Sequence, residues 1–302
     1  MGILLLLLST FMWSFVGILV KSASLMVSPI VITFFRFFIG IIFLALLVYF
    51  IEGKVRVHWK SPWIWAGACG KLVNYIFENI GVSIGYAYGN ILVFPLQTLF
   101  MVAFSVMFLK EKFQLKTAFS VLLCIVGVLL VSWNGLPLEE VMQLNVLLTL
   151  LFALSAFGAT FHFLSQKMLV DKMNAASMNF SMFVWCSLFA GAPLPVYGEM
   201  TGEIALWPVV SLLLLGAITA FSFYFFAQAL RRVSLTIASI FNNASVIFTL
   251  IWAWLFFQEP ITIYTVAGTL LFVVGMIVVN LPERKQRGSA SAGAAAEGVS
   301  AN

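Results

Sequence analysis

Long apolar runs, separated by short polar breaks, occupy nearly the whole chain. They cover residues 3–22, 29–51, 63–85, 88–109, 115–134, 144–166, 176–197, 205–230, 234–257 and 262–281. Each is near or above the ~20 apolar residues that carry a helix across a bilayer. The runs are continuous, not alternating over ~10 residues, so a transmembrane β-barrel is excluded. Backbone groups in lipid must be bonded within their own segment, so every run is expected to be helical. The expected fold class is therefore an all-α integral membrane protein of ten transmembrane helices. Turn signals mark several breaks: Ser28-Pro29, Ser61-Pro62, Asn134-Gly135 with Pro137, and Glu259-Pro260. The first run, Ile3 to Val20, precedes the small residues Ser22-Ala23-Ser24, but no Lys or Arg stands ahead of it. It reads as a retained span and not as a signal peptide. Residues 282–302 begin with charges and continue in Gly, Ser and Ala, a composition expected to be a disordered tail.

Composition agrees with the pattern. The chain has 302 residues, 63% of them hydrophobic and 9% charged, with a mean hydropathy of +1.09. Soluble proteins are about 45–50% apolar and about 25% charged, so a soluble enzyme, a disordered chain and a nucleic-acid-binding domain are excluded. Cys69, Cys124 and Cys186 each sit in an apolar run, without the paired loop positions of a disulfide framework. The net charge of +5 matters less than its placement. With the N-terminus inside, thirteen of the sixteen basic residues fall in inner loops and the tail, Lys21 alone falls outside, and Arg36 and Lys71 lie within spans. The positive-inside rule then puts both termini in the cytoplasm of a multi-pass protein of the inner or plasma membrane.

The chain also repeats itself. Shifted by 148, residues 109–131 lie on 257–279 with seven identities in 23 positions: Glu111/Glu259, Thr117/Thr265, Leu122/Leu270, Leu123/Leu271, Val126/Val274, Gly127/Gly275 and Val131/Val279. A weaker match sets Ser14 and Gly17 on Ser155 and Gly158. The expected organisation is one five-helix unit over 1–134, an outer linker over 135–143, a second unit over 144–281 and the tail over 282–302. Five crossings per unit invert the second copy. Inverted repeats are a hallmark of secondary transporters, whose substrate site lies near the midplane between the halves.

These features resemble the EamA type of the drug/metabolite transporter superfamily over about residues 3–281. The resemblance rests on Trp13-Ser14-x-x-Gly17, on Ser28-Pro29 with Phe34-Phe35-Arg36-Phe37, and on spans closing in an acid at Phe108-Leu109-Lys110-Glu111-Lys112 and Phe256-Phe257-Gln258-Glu259-Pro260. Span 7 departs from the pattern in lacking a basic residue to match Arg36. The resemblance implies a ten-helix carrier with a central cavity lined by spans 1–4 and 6–9, and with spans 5 and 10 peripheral. Members move amino acids, nucleotides or nucleosides, vitamins, drugs and other metabolites, often outward.

Ionisable groups inside spans cost about 2.5–3.5 kcal/mol on insertion scales and face an aqueous path or a partner. This chain has Arg36, Lys71, Glu78 and His162 there. Lys71, Asn74 and Glu78 share one face of span 3, with Lys71 and Glu78 about 10 Å apart along the axis. Arg36 and Glu78 each lie seven residues below the outer end of their spans, which a short loop joins. They are expected to form a buried charge pair, leaving Lys71 to the cavity or a substrate anion; a separation above about 6 Å would exclude the pair. The alternative is a buried network that only fixes packing. His162 is either a hydrogen-bonded packing residue or, with Glu78, a candidate for proton coupling. Pro95 interrupts span 4, where Gln97 corresponds to the mid-span pair Asn242-Asn243 of span 9; these amides serve substrate binding or hold helices together. Trp13, Tyr75, Phe157, Tyr224 and Phe225 are candidates for the cavity wall.

Gly81-x-x-x-Gly85-x-x-x-Gly89 is a close-approach stripe. Gly81-Val82-Ser83-Ile84-Gly85 also fits a hydrolase pattern but lacks the strand–turn–helix setting that it needs. Asp171 is the only aspartate, and no phosphate-binding Walker motif is present. The expectation is therefore no enzyme and no cofactor or metal. The expected protein is a secondary transporter, exporting a small metabolite such as an amino acid or a related polar or aromatic compound by alternating access. A passive channel is the alternative, and it would show a continuous polar stripe. Lys71 and Arg36 favour a substrate bearing a carboxylate or phosphate, and the aromatics favour a partly apolar one. Substrate and bilayer are the expected partners; proton coupling, and monomer or homodimer, stay open.

Overall fold

The computed structural model describes residues 1–86, 93, 96, 97, 99, 100, 115–133, 135, 146–232 and 245–280. These residues are almost entirely helical: α1 (Gly2–Ser14), α2 (Val16–Ala23), α3 (Pro29–Glu52), α4 (Pro62–Ile84), α5 (Leu115–Trp133), α6 (Val146–Leu169), α7 (Ala175–Gly191), α8 (Leu206–Leu230), α9 (Ser245–Phe257) and α10 (Ile263–Asn280). A single bridge between Val27 and Met200 is their only β pairing.

Several boundaries follow from local chemistry. Pro29 and Pro62 open α3 and α4 at the first helical turn, where a missing N–H costs nothing. Gly53 closes α3 in the left-handed conformation, its N–H bonded to the Tyr49 carbonyl at 2.8 Å. Asn174 caps α7 by accepting from the Ala176 N–H at 2.8 Å.

Two boundaries differ from the sequence expectation. The first span is one run in sequence but breaks at Phe15, whose N–H turns back to the Met12 carbonyl. The Ser14 carbonyl and hydroxyl are taken up by Thr249 and Trp252 of α9 at 3.3 and 3.0 Å. Span 7 was expected to reach 197, but α7 ends at Gly191 and only a turn, Leu194–Tyr197, follows. Pro193 and Pro195 account for this, since neither can donate to a continuing helix.

Four spans, Gly2–Ala23, Pro29–Glu52, Val146–Leu169 and Leu206–Leu230, are long and apolar enough to cross a membrane. Pro62–Ile84 is as long as these but carries Lys71, Asn74, Glu78 and Asn79, and all four side chains are buried. The surface shows the reverse pattern. Leu4, Phe11, Phe38, Leu46, Leu150, Leu213 and Trp254 are exposed. Polar groups inside and apolar ones outside are what lipid solvation favours.

Helix pairing depends on small residues. α4 packs along α6, α3 along α7 and α8, α1 and α2 along α8, and α5 along α10. A methyl added at Gly158 would stand 2.5 Å from the Gly70 carbonyl oxygen, and one at Gly70 2.6 Å from that of Gly158. Farther along α4, Gly81 and Gly85 receive the Phe152 ring and the Leu148 side chain.

Loop contacts join the ends of the bundle. At one end Ser177 donates to Glu52 at 2.5 Å, the His58 N–H to Ser181 at 2.9 Å, and Arg231 to the Val170 and Met173 carbonyls. Exposed Lys54, Arg56, Lys60, Lys167, Lys172, Arg231 and Arg232 gather there. At the other end the Ser28 N–H donates to the Glu199 carbonyl and the Thr201 N–H to the Met26 carbonyl.

Gly158→Val should cost about 1–3 kcal/mol by overpacking, whereas Gly40→Ala, whose methyl meets its nearest neighbour at 3.4 Å, should leave stability nearly unchanged. Thermal unfolding of the two purified variants checks this, and equal losses would contradict the packing account.

Candidate functional site

Arg36 is a buried charge held by several partners. Its position, two turns into α3, points it at α4, and it is 1% exposed. Its Nη1 donates to Asn79 Oδ1 at 2.7 Å and lies 3.8 Å from Glu78 Oε2, inside the 6 Å limit set from the sequence. Its Cζ sits 3.5 Å from the centre of the Tyr75 ring. Asn79 is oriented by donating to Thr33 Oγ1 at 2.8 Å, and Thr33 in turn bonds back to the Pro29 carbonyl. The Tyr75 hydroxyl meets Thr219 Oγ1 of α8 at 3.2 Å.

Lys71, two turns earlier on α4, is 3% exposed. Its ammonium donates to Asn74 Oδ1 at 2.6 Å and lies 4.0 Å from the Tyr75 ring centre and 4.1 Å from that of Phe223. Asn74 is fixed by donating to the Ser155 hydroxyl and carbonyl on α6 at 2.7 and 3.3 Å. Among the described residues no carboxylate comes within 4.0 Å of Lys71. Two cations share the Tyr75 ring and so stand within ~7.5 Å of each other. At an effective dielectric of ~20 their repulsion is about 2 kcal/mol or more, and the single carboxylate, Glu78, is already engaged with Arg36.

These groups line a cavity of about 400 Å³ of empty space, its open mouth included, together with Trp13, Val16, Val93, Gln97, Ala159, Phe163 and Phe223. Its described walls come from α1 to α4 and from Val93 and Gln97 in the first half, and from α6 and α8 in the second. The rings of Trp13, Phe163 and Phe223 form one continuous face, with centroids 4.9 Å apart for Trp13–Phe223 and 6.1 Å for Trp13–Phe163.

Of the residues singled out from sequence, the structure gathers Trp13, Lys71, Asn74, Tyr75 and Gln97 at the cavity with Arg36 and Glu78. It does not bring Phe157 or Tyr224 there. Phe157 is 39% exposed on the outer face of α6, against Phe100 and Phe161. Tyr224 is half-buried, its ring against Phe225 and its hydroxyl accepting from Gln228. Each stands a rotation away from the wall, and Phe163 and Phe223 take their places. Asn242, Asn243 and Pro95 lie outside the described residues. Asn79 and Thr33 were missed, although Tyr75 and Asn79 are spaced four apart on the polar face of α4 and that spacing was legible.

His162 also stands apart from the cavity wall. Asn179 donates to the Ala175 and Phe223 carbonyls, so its Oδ1 accepts from Gln166 Nε2 at 2.8 Å. That amide also meets His162 Nε2 at 3.1 Å, leaving the ring proton on Nδ1 to donate to the Gly67 carbonyl at 3.1 Å. The chain ties α4, α6, α7 and α8 together with His162 in its neutral form.

A helical bundle with an apolar exterior, a charged internal cavity and spans long enough to cross a membrane is the construction of a multi-pass membrane protein. The chain belongs to the EamA-like transporter family, whose model matches residues 1–133 and 146–281. It is 27% identical over 277 residues to an uncharacterized transporter of Archaeoglobus fulgidus, covering 88% of this chain and 94% of that protein. It is 25% identical over 287 residues to the pseudopaline exporter CntI of Pseudomonas aeruginosa, covering 92% and 95%. A crystal structure 16% identical to it superposes with a TM-score of 0.67 over 93% of this chain and 98% of the other, a likeness of fold.

Removing one partner of a buried charge pair costs roughly 3–5 kcal/mol, more than removing both. Arg36→Met and Glu78→Leu should therefore each destabilise the protein, and the double variant should recover part of the loss in a double-mutant cycle read by thermal unfolding. Strictly additive losses would show that the two groups do not interact.

Proposed function

We propose that this chain is a secondary transporter that exports a small metabolite by alternating access, with the cavity between α1, α4, α6 and α8 as its substrate site. One observation carries the reading. The buried polar groups converge on a cavity walled from both halves of the chain, near the middle of the spans, where transporters built of repeats bind their cargo. The pairing of helices supports a two-fold relation between the halves. Exchanging α1–α2 with α6, α3 with α7, α4 with α8 and α5 with α10 turns α4·α6 into α8·α1 and leaves α3·α7 and α5·α10 as they are. The pseudopaline exporter among the relatives supports outward movement of a metabolite. The basic end of the bundle, carrying Lys54, Arg56, Lys60, Lys167, Lys172, Arg231 and Arg232, is the cytoplasmic face in this reading, with both termini inside.

At the opposite end Lys21 clasps the bundle. Its ammonium reaches the Ser83 carbonyl at 3.5 Å and the Gly85 carbonyl at the end of α4. It also lies within electrostatic reach of the buried Glu259, just past α9. Lys21, Ser83 and Gly85 belong to one half, so opening the outer side would break the approach of Lys21 to Glu259. Opening the inner side would break the Asn179–Gln166–His162–Gly67 chain. Of the two proton-carrier candidates, Glu78 is the one at the cavity.

Proteoliposomes loaded with a mixed metabolite extract should lose a defined subset of solutes through the wild type. Lys71→Ala and Asn74→Ala should slow that loss tenfold or more. Efflux unchanged in both variants would contradict the site. Efflux that never exceeds equilibration, with or without an imposed proton gradient, would instead make the protein a passive facilitator.

A further inference from the structure

The donors that the cavity leaves unused indicate what it takes. Arg36 spends Nη1 on Asn79 and faces Glu78, but its Nε is buried with no hydrogen-bond partner. Lys71 spends one of its three donors on the neutral Asn74 and has aromatic faces, not carboxylates, around it. Both groups line the same cavity and touch the same Tyr75 ring, and the charges in the described wall sum to one excess positive charge. The remaining wall, Trp13, Phe163 and Phe223, is aromatic and has no charge to offer.

We propose that the cavity recognises a monoanionic organic acid, its carboxylate held between Lys71 Nζ and Arg36 Nε–H and its apolar or aromatic body against Trp13, Phe163 and Phe223. The carboxylate adds a counter-charge in direct contact with Lys71, which Glu78, acting on Lys71 only from a distance and 3.8 Å from Arg36, does not make. It also accepts the donor that no protein atom takes. A cationic substrate meets two like charges at the same point, and a neutral one leaves both donors unsatisfied, which is the arrangement that discriminates most strongly among similar ligands. A phosphate monoester, with close to two negative charges, overshoots the single excess charge. This deepens the transport reading by naming its substrate class, and it rests on that reading only for the statement that the bound acid is moved.

The test uses three probes of one shape: 3-phenylpropionate, 3-phenylpropylamine and 3-phenyl-1-propanol, each added to the purified full-length protein in detergent. At tenfold excess over its Kd the acid should raise the unfolding temperature by about 2–4 °C, while the amine and the alcohol leave it unchanged. The shift should vanish in Lys71→Met and persist in part in Lys71→Arg. Wild type alone already decides the charge preference if the methionine variant fails to fold. Equal shifts from all three probes, a larger one from the amine, no shift from the acid, or a full shift retained in a folded Lys71→Met would each overturn the proposal. The transport reading fails separately. Acid-specific stabilisation without flux of any solute in proteoliposomes would remove the transport role and keep the anion site. Flux of amines or neutral solutes that Asn74→Ala abolishes would do the opposite.

Discussion

The structure depends on how an apolar body accommodates a lysine, an arginine and a glutamate at its centre. In lipid none of these can turn to bulk water, so each must find its partners inside. Tyr75 is where the solution converges: Arg36 and Lys71 lie against its ring, Phe37 stacks on it at 5.0 Å, and its hydroxyl reaches across to Thr219 on α8. Around this core the second layer is ordered by amides. Asn79 links Arg36 to Thr33, and Asn74 links Lys71 to Ser155. The close contact of α4 with α6, set by Gly70 and Gly158 backbone to backbone, brings Ser155 within reach of Asn74. Packing and electrostatics are therefore one problem here. A wider gap between those helices would take Ser155 away from Asn74 and leave the amide that receives Lys71 without its anchor on α6.

Two further sets of polar contacts flank this core. The Asn179–Gln166–His162 chain joins the second half to Gly67 of the first, whereas the Lys21 clasp ties α2 to the end of α4 within the first half and reaches the second half only through its electrostatic approach to Glu259. Both end on backbone carbonyls, so neither depends on a fixed ion pair. The cavity lies between them.

Much of the fold was legible in the sequence because lipid imposes length and helicity on every span. Arg36 and Glu78 could be set at one depth because each is counted seven residues from the outer end of its span, and they lie 3.8 Å apart. What could not be read was rotation about a helix axis. α7 and α8 are apolar all round, so no polar stripe says which side faces in, and Phe223 stands at the cavity where Tyr224 was expected. On α6 the buried Ser155, His162 and Gln166 mark the inward side, and Phe163 stands beside them while Phe157 lies outside. Asn79 was overlooked beside the more conspicuous Glu78, although it makes the shorter contact to Arg36. The break at Phe15 carries no Gly or Pro to announce it. It follows from α9 taking up the Ser14 carbonyl and hydroxyl, a contact between residues 235 apart in the case of Thr249.

The central claim is that the cavity is a transport site and not a sealed packing void. Val16 and Ala159 line it from the two halves and carry no part of the polar network, so each can become a cysteine in a protein otherwise free of cysteine. Labelling by a membrane-impermeant thiol reagent, in right-side-out and inside-out vesicles, measures access directly. The account predicts that both positions react from either side of the membrane. Protection of both positions from both sides would contradict it.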